Sequence, residues 1–327
     1  MLKKLKTVFF RVAISILSLV ALYFSVRGEI IEGLNHLRSL HVRPLLIALV
    51  LNFISLAVVT ARIGTILSIQ QVHLSFWRRY YLWLISLFFN LFLPSAVGGD
   101  IAKAYYIAKD SGKKMASVTS VLLDRFFGMM ATISIAFFAY FLARDHIDDP
   151  KIGKLLFWVA GIVIVGTLFL MSRRFSRPAK SLLMALMPKR FHERLNKWFE
   201  AFELYRHRHL SFFVSYFFSL LAQALFIFQV YFLALSIRVD LPLALFFLFI
   251  PLVAVVSMIP SIGGLGVREA AMVYLFRSYV SVDQAVALSL MFDLFLYGLG
   301  CACGILYAIR GGASLREIET METRYES

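Results

Sequence analysis

The sequence predicts an all-α polytopic membrane protein with about six full spans and two opposed broken, re-entrant helical hairpins in an inverted-repeat arrangement. Three observations carry that prediction. Of 327 residues, 60% are hydrophobic and only 16% are charged, against ~25% charged in soluble domains. The apolar residues gather into about eight long runs. The 34 Lys and Arg outnumber the 19 Asp and Glu, for a net charge of +15, and they sort to one side of those runs. Such a chain is too apolar for disorder and too apolar for an ordinary basic nucleic-acid binder. Its two cysteines, Cys301 and Cys303, exclude a secreted disulfide scaffold.

A spanning helix needs about 20 mostly apolar residues. The runs at 12–26, 44–61, 80–99, 126–143, 155–172, 210–237, 241–267 and 293–309 are the candidates. The first begins after Met-Leu-Lys-Lys-Leu-Lys and lacks a small-x-small cleavage site, so it reads as a retained signal anchor. The helix holding 126–143 is expected to begin near Ala116, with Asp124 and Arg125 inside it or at its mouth. Arg62 closes the second run and reads as a snorkelling anchor. In 176–208, Phe191, Leu195, Trp198, Phe202 and Tyr205 recur at helical spacing among Lys189, Arg190, Arg194 and Lys197. This is a basic amphipathic helix for the headgroup layer. It joins the expected halves, 1–172 and 210–310, as a linker over 173–209. Gly300 and Gly304 are spaced for close helix packing.

Two runs are interrupted. One reads Pro94-Ser-Ala-Val-Gly-Gly-Asp100, the other Pro260-Ser-Ile-Gly-Gly-Leu-Gly266, and their prolines are 166 residues apart. Proline removes a backbone donor and glycine weakens a helix, so both segments should unwind. Unwound backbone is tolerated at membrane depth only where protein buries it or water reaches it. Paired breaks in two halves point to a transporter with its site between the repeats.

With both termini inside and both broken segments re-entrant, inside loops hold 25 Lys and Arg and outside loops hold 9. That bias supports the orientation, a multi-pass protein of the cell membrane with cytoplasmic termini. The same division puts ten acids inside. The whole excess of +15 therefore faces the cytoplasm, where it attracts anionic headgroups.

The stretches Leu93-Pro-Ser-Ala-Val-Gly-Gly-Asp-Ile-Ala-Lys-Ala-Tyr105, Ser120-Val-Leu-Leu-Asp-Arg-Phe-Phe-Gly128 and Ile259-Pro-Ser-Ile-Gly-Gly-Leu-Gly-Val-Arg-Glu-Ala-Ala271 resemble three signatures of one family. It is the flippase-like integral membrane family, the transmembrane region of bacterial lysylphosphatidylglycerol synthase, and the resemblance covers nearly the whole chain. It implies lipid translocation. The 18 residues after Ile309 leave no room for the soluble aminoacyl-transferase domain of two-part members, so synthesis is not expected of this chain.

Helix starts after the breaks, at Gly98-Gly99 and Gly263-Gly264, would present N–H groups to a phosphate, with the hydroxyls of Ser95 and Ser261 as further donors. Arg125 and Arg268 are candidate phosphate forks. Asp100 either caps its helix, orients Lys103 or meets a cationic headgroup. Asp124, Glu269 and Asp293 are candidate proton carriers or counter-charges. Each has a plainer reading: Asp124 and Arg125 as a membrane boundary, Arg268 and Glu269 as an ion pair to the first half, Asp293 as an interfacial residue. The expected partners are membrane lipids, an anionic phospholipid or a lipid-linked phosphate, with no nucleic acid; a homo-oligomer stays open. No cofactor is expected, since neither a Walker loop nor metal-ligand spacing occurs. The competing classes are a surface transferase, which lacks an acidic pair on the cytoplasmic side, and a membrane-embedded scaffold or accessory subunit for a lipid- or glycan-modifying enzyme.

Overall fold

The computed structural model describes residues 40–92, 98–143, 208–259 and 264–309, with isolated positions elsewhere. The expected spans at 12–26 and 155–172 and the basic helix at 176–208 fall outside the described residues, apart from isolated positions. Eight helices and no strand occur among the described residues. They are α1 (Val42–Ile69), α2 (Phe76–Phe92), α3 (Gly98–Ser111), α4 (Lys114–Leu142), α5 (His209–Ser236), α6 (Leu243–Val256), α7 (Val267–Phe276) and α8 (Val282–Ile309).

Helices α1, α4, α5 and α8 have 28 or 29 residues and are long and apolar enough to cross a membrane. At 1.5 Å per residue each is roughly 42 Å long, beyond the ~30 Å hydrocarbon core. They leave large apolar side chains uncovered, such as Val50, Phe138, Phe213, Phe217, Leu294 and Ile305. In water such surface would be a liability; against acyl chains it costs nothing. The chain is therefore a multi-pass α-helical membrane protein. The start of α1 and the end of α5 lie together, since the His41 N–H donates to the Ser236 carbonyl at 2.8 Å. The charge pattern assigns both ends to one side.

The other four helices have 17, 14, 14 and 10 residues, roughly 15 to 26 Å, each too short to span alone. They pair as two hairpins. In the first, the Gly99 N–H donates to Asn90 Oδ1 at 2.8 Å, Lys103 Nζ lies 3.3 Å from the Trp83 ring centre, and Arg78 Nε donates to Asp110 Oδ2 at 2.6 Å. Partners move apart in sequence as they leave the break, so α3 runs back along α2. In the second, the Phe276 ring at the end of α7 packs 5.3 Å from those of Phe246 and Phe249 in α6. That hairpin also returns toward the side where it began.

The local causes are readable. Helix α6 closes with 3₁₀-type bonds from Met258 to Val255 and Ile259 to Val256, and the Ser257 hydroxyl donates to the Val253 carbonyl. Gly264 and Gly266 then take φ of +86° and +81°, the left-handed region that a side chain disfavours. At the first hairpin, a Cβ on Gly99 would run into the Ser86 carbonyl oxygen, so glycine sets how closely α3 approaches α2. Gly304 serves α8 in the same manner, beneath the Phe88 ring, as its spacing predicts.

Backbone contacts divide the described residues into two compact units. One takes α1 up to Leu56, Tyr80–Lys103, and everything from Ala224 on. The other takes Ala57–Arg79 and Ala104–Gln223. Inside the second, Ile66 and Ile69 of α1, Leu123 and Phe127 of α4 and Phe212 of α5 form an apolar core.

Two sequence expectations need correction. Arg62 does not close a span: α1 continues seven residues past it to Ile69. Arg268 does not sit in a loop, because it is the second residue of α7.

Candidate functional site

Three buried ionic clusters hold most of the charged residues the sequence singled out. The first belongs to α7 and α8. Arg268 Nη2 donates to Glu269 Oε1 at 3.0 Å, to Asp293 Oδ1 at 2.5 Å, and more weakly to the Tyr297 hydroxyl at 3.5 Å. The guanidinium also lies 5.4 Å from the Phe292 ring centre. Arg268 and Glu269 are 7% and 3% exposed, so solvent does not satisfy them. Helix α8 begins at Val282, so Asp293 lies well inside it, roughly 17 Å from one end and roughly 24 Å from the other, in the middle third of the helix. The second carboxylate on Arg268 comes from α8, because α7 packs against that helix.

The second cluster sits on the first hairpin. Lys103 Nζ is 3.2 Å from Asp100 Oδ1, one helical turn away, and lies over the Trp83 ring, a cation–π contact that partly replaces lost hydration. Lys103 is 1% exposed. Asp100 is the third residue of α3, inside the helix, so it does not cap the start; Asn90 of α2 bonds the Gly99 N–H instead. Asp100 still complements the helix dipole from the first turn. Gly98 and Gly99 are buried at that start.

The third cluster lies in the other unit. Arg62 Nε donates to Asp124 Oδ1 at 2.7 Å, and Arg62 Nη1 donates to the Ser219 hydroxyl at 3.0 Å. Ser219 passes its own proton to the Ser215 carbonyl. Gly128, one turn after Asp124, leaves room for the guanidinium, 3.6 Å from where a Cβ would stand. Arg62 lies roughly 10 Å inside α1 and Asp124 roughly 15 Å inside α4. A carboxylate buried inside α4 needs a counter-charge, and α1 provides it. Arg125, the next residue, is half-buried and points elsewhere.

The two hairpins share a design. Each second arm begins at the break, so its positive helix end lies at the tip of the hairpin. Each carries an acid at its third helical position, Asp100 in α3 and Glu269 in α7. Each of those acids pairs with a buried cation of its own arm. Ser95, Ser261 and Gly263 lie outside the described residues, while Gly264 stands directly before α7 and its carbonyl accepts the Arg268 N–H. No group of three or more metal-ligating side chains occurs among the described residues.

Sequence reasoning missed Asn90, Trp83, Ser219 and Tyr297. Asn90 carried a signal, as a lone amide in an apolar run. Trp83 carried none, since its role depends on how α3 folds back.

The model of the family described as the lysylphosphatidylglycerol synthase TM region matches residues 8–304. No curated protein matches the chain.

Proposed function

The chain belongs to the family of the lysylphosphatidylglycerol synthase transmembrane region, and on that premise we propose that it moves a phospholipid or a polyprenyl-phosphate-type lipid between leaflets. The matched region is a membrane region, compatible with a transporter. The observation that carries this reading is the Arg268–Glu269–Asp293 cluster, three charges held at mid-depth of a spanning helix beside a hairpin that stops short of spanning. Charge buried at that depth is expensive and is kept where it does work.

A headgroup crossing the hydrocarbon needs a polar path while its tails stay in lipid. In this reading the hairpin tips provide it. The N-terminal ends of α3 and α7 attract phosphate, with Ser95, Gly98, Gly99, Ser261, Gly263 and Gly264 as donors. Arg268 and Arg125 engage phosphate oxygens. The Asp100–Lys103 pair orders the first tip. Asp124 is held by Arg62, and its role here is to fix α4 against α1. Residues 1–172 and 210–310 act as the repeat halves, and both termini face the cytoplasm.

The test is leaflet exchange in proteoliposomes. With a fluorescent phospholipid, dithionite quenches only the outer leaflet. Protein-dependent loss of the protected half is the expected result. No exchange with any phospholipid or polyprenyl phosphate would overturn the proposal and leave a scaffold role.

A further inference from the structure

Among the described residues, the Arg268 cluster does not balance. One guanidinium faces two carboxylates, so with both ionised the group carries a net charge of −1. The charges sit on adjacent elements, Arg268 and Glu269 on α7 and Asp293 on α8, with the Tyr297 hydroxyl beside them. Helix α6, which packs on α7, has no ionisable side chain, and α5 meets Phe292 through the ring of Phe226. A net charge at the middle of a ~42 Å helix is heavily penalised in a low-dielectric surround.

The oxygens record the same deficit. Glu269 Oε1 accepts one hydrogen bond from Arg268, but Glu269 Oε2 is buried and has no hydrogen-bond donor among the described residues. Both carboxyl groups bond the same nitrogen, Nη2, at 3.0 and 2.5 Å, which holds the two acids side by side. Two carboxylates cannot hydrogen-bond, because each only accepts. With one proton between them they can, since one oxygen becomes a donor. A single proton therefore removes the excess charge and gives the two acids a donor between them. Carboxyl pairs in close contact characteristically share one.

We infer that Glu269 and Asp293 bind one exchangeable proton between them, and that lipid movement is linked to its uptake and release. Proton uptake takes the cluster from −1 to zero. It also weakens the hold of one carboxylate on Arg268, which lets the guanidinium turn to a phosphate oxygen. Proton loss restores the pair and expels the anion. This deepens the translocase reading and rests on it. If one proton moves per lipid, a transmembrane pH difference biases the leaflet distribution by up to about tenfold per pH unit.

Two measurements on the full-length reconstituted protein test this, and they fail separately. Infrared difference spectra recorded across a pH titration read the proton directly, without any lipid moving. A carboxylic-acid C=O band that titrates, shifts in D₂O, and disappears in both Glu269→Gln and Asp293→Asn is the expected result; no such band, or one that persists in both variants, overturns the proton site. The second measurement is the leaflet ratio of a fluorescent phospholipid under an imposed pH difference, in choline buffer. A ratio that follows the gradient in the wild type and no longer does so in Asp293→Asn is expected. Exchange that ignores the gradient, or that follows Na⁺, overturns the coupling and leaves the translocase reading standing. A titrating band with no exchange under any gradient overturns the translocase reading and the coupling with it.

Discussion

Arg62–Asp124 in one unit and Arg268–Glu269–Asp293 in the other are both guanidinium–carboxylate clusters buried in long helices, yet they balance differently. Arg62 meets one carboxylate, and its second edge is taken by Ser219, which in turn donates to a carbonyl. That pair is neutral and well bonded. Arg268 meets two carboxylates through one nitrogen, and an oxygen of Glu269 is left without a donor. A neutral, satisfied pair suits a clamp between helices. A cluster short of one positive charge is poised to accept something. Burial alone does not separate the two, since Asp124 and Glu269 are equally enclosed; stoichiometry does.

The comparison can be broken at its charged centre first. Arg268→Met would leave two facing carboxylates with no counter-charge, and removing one partner of a buried pair costs about 3–5 kcal/mol. Thermal unfolding should show the largest loss of any single substitution here, and leaflet exchange should vanish. Asp124→Asn strands the Arg62 guanidinium and should also destabilise by a few kcal/mol. The double variant Arg62→Met/Asp124→Leu should recover most of that loss in the same unfolding assay, because a neutral pair can give way to apolar packing. Glu269 and Asp293 should not be replaceable by apolar residues without loss of exchange. A smaller effect is expected from Gly99→Ala, whose Cβ meets the Ser86 backbone carbonyl. It should cost about 1–3 kcal/mol by overpacking, checked by the unfolding midpoint.

These outcomes bear on how much was legible in the sequence. The hairpins were, because Pro-Ser followed by Gly-Gly within an apolar run has few other uses. Asp293 was legible as a lone acid among apolar residues, though its depth was not, since that depends on where α8 begins. The Arg62–Asp124 pair was not foreseen. A charge at the edge of an apolar run looks like a snorkelling anchor, yet the helix goes on through Ile63-Gly-Thr-Ile-Leu-Ser-Ile69. The partnership of Glu269 and Asp293 was beyond sequence reasoning altogether, because the register of α7 on α8 is set by side-chain packing. The Trp83 platform for Lys103 was hidden for a similar reason: local pattern fixes neither the turn of the first hairpin nor which ring it brings beneath the amine.

The most direct test sets the two clusters side by side. Leaflet exchange is measured in proteoliposomes carrying Arg62→Met/Asp124→Leu or Arg268→Met/Asp293→Leu, each a charge-pair replacement, at matched protein content and with folding verified. The account predicts exchange within about twofold of wild type for the first and none above protein-free liposomes for the second. Exchange retained by the second variant, or lost from the first while it remains folded, would contradict the account.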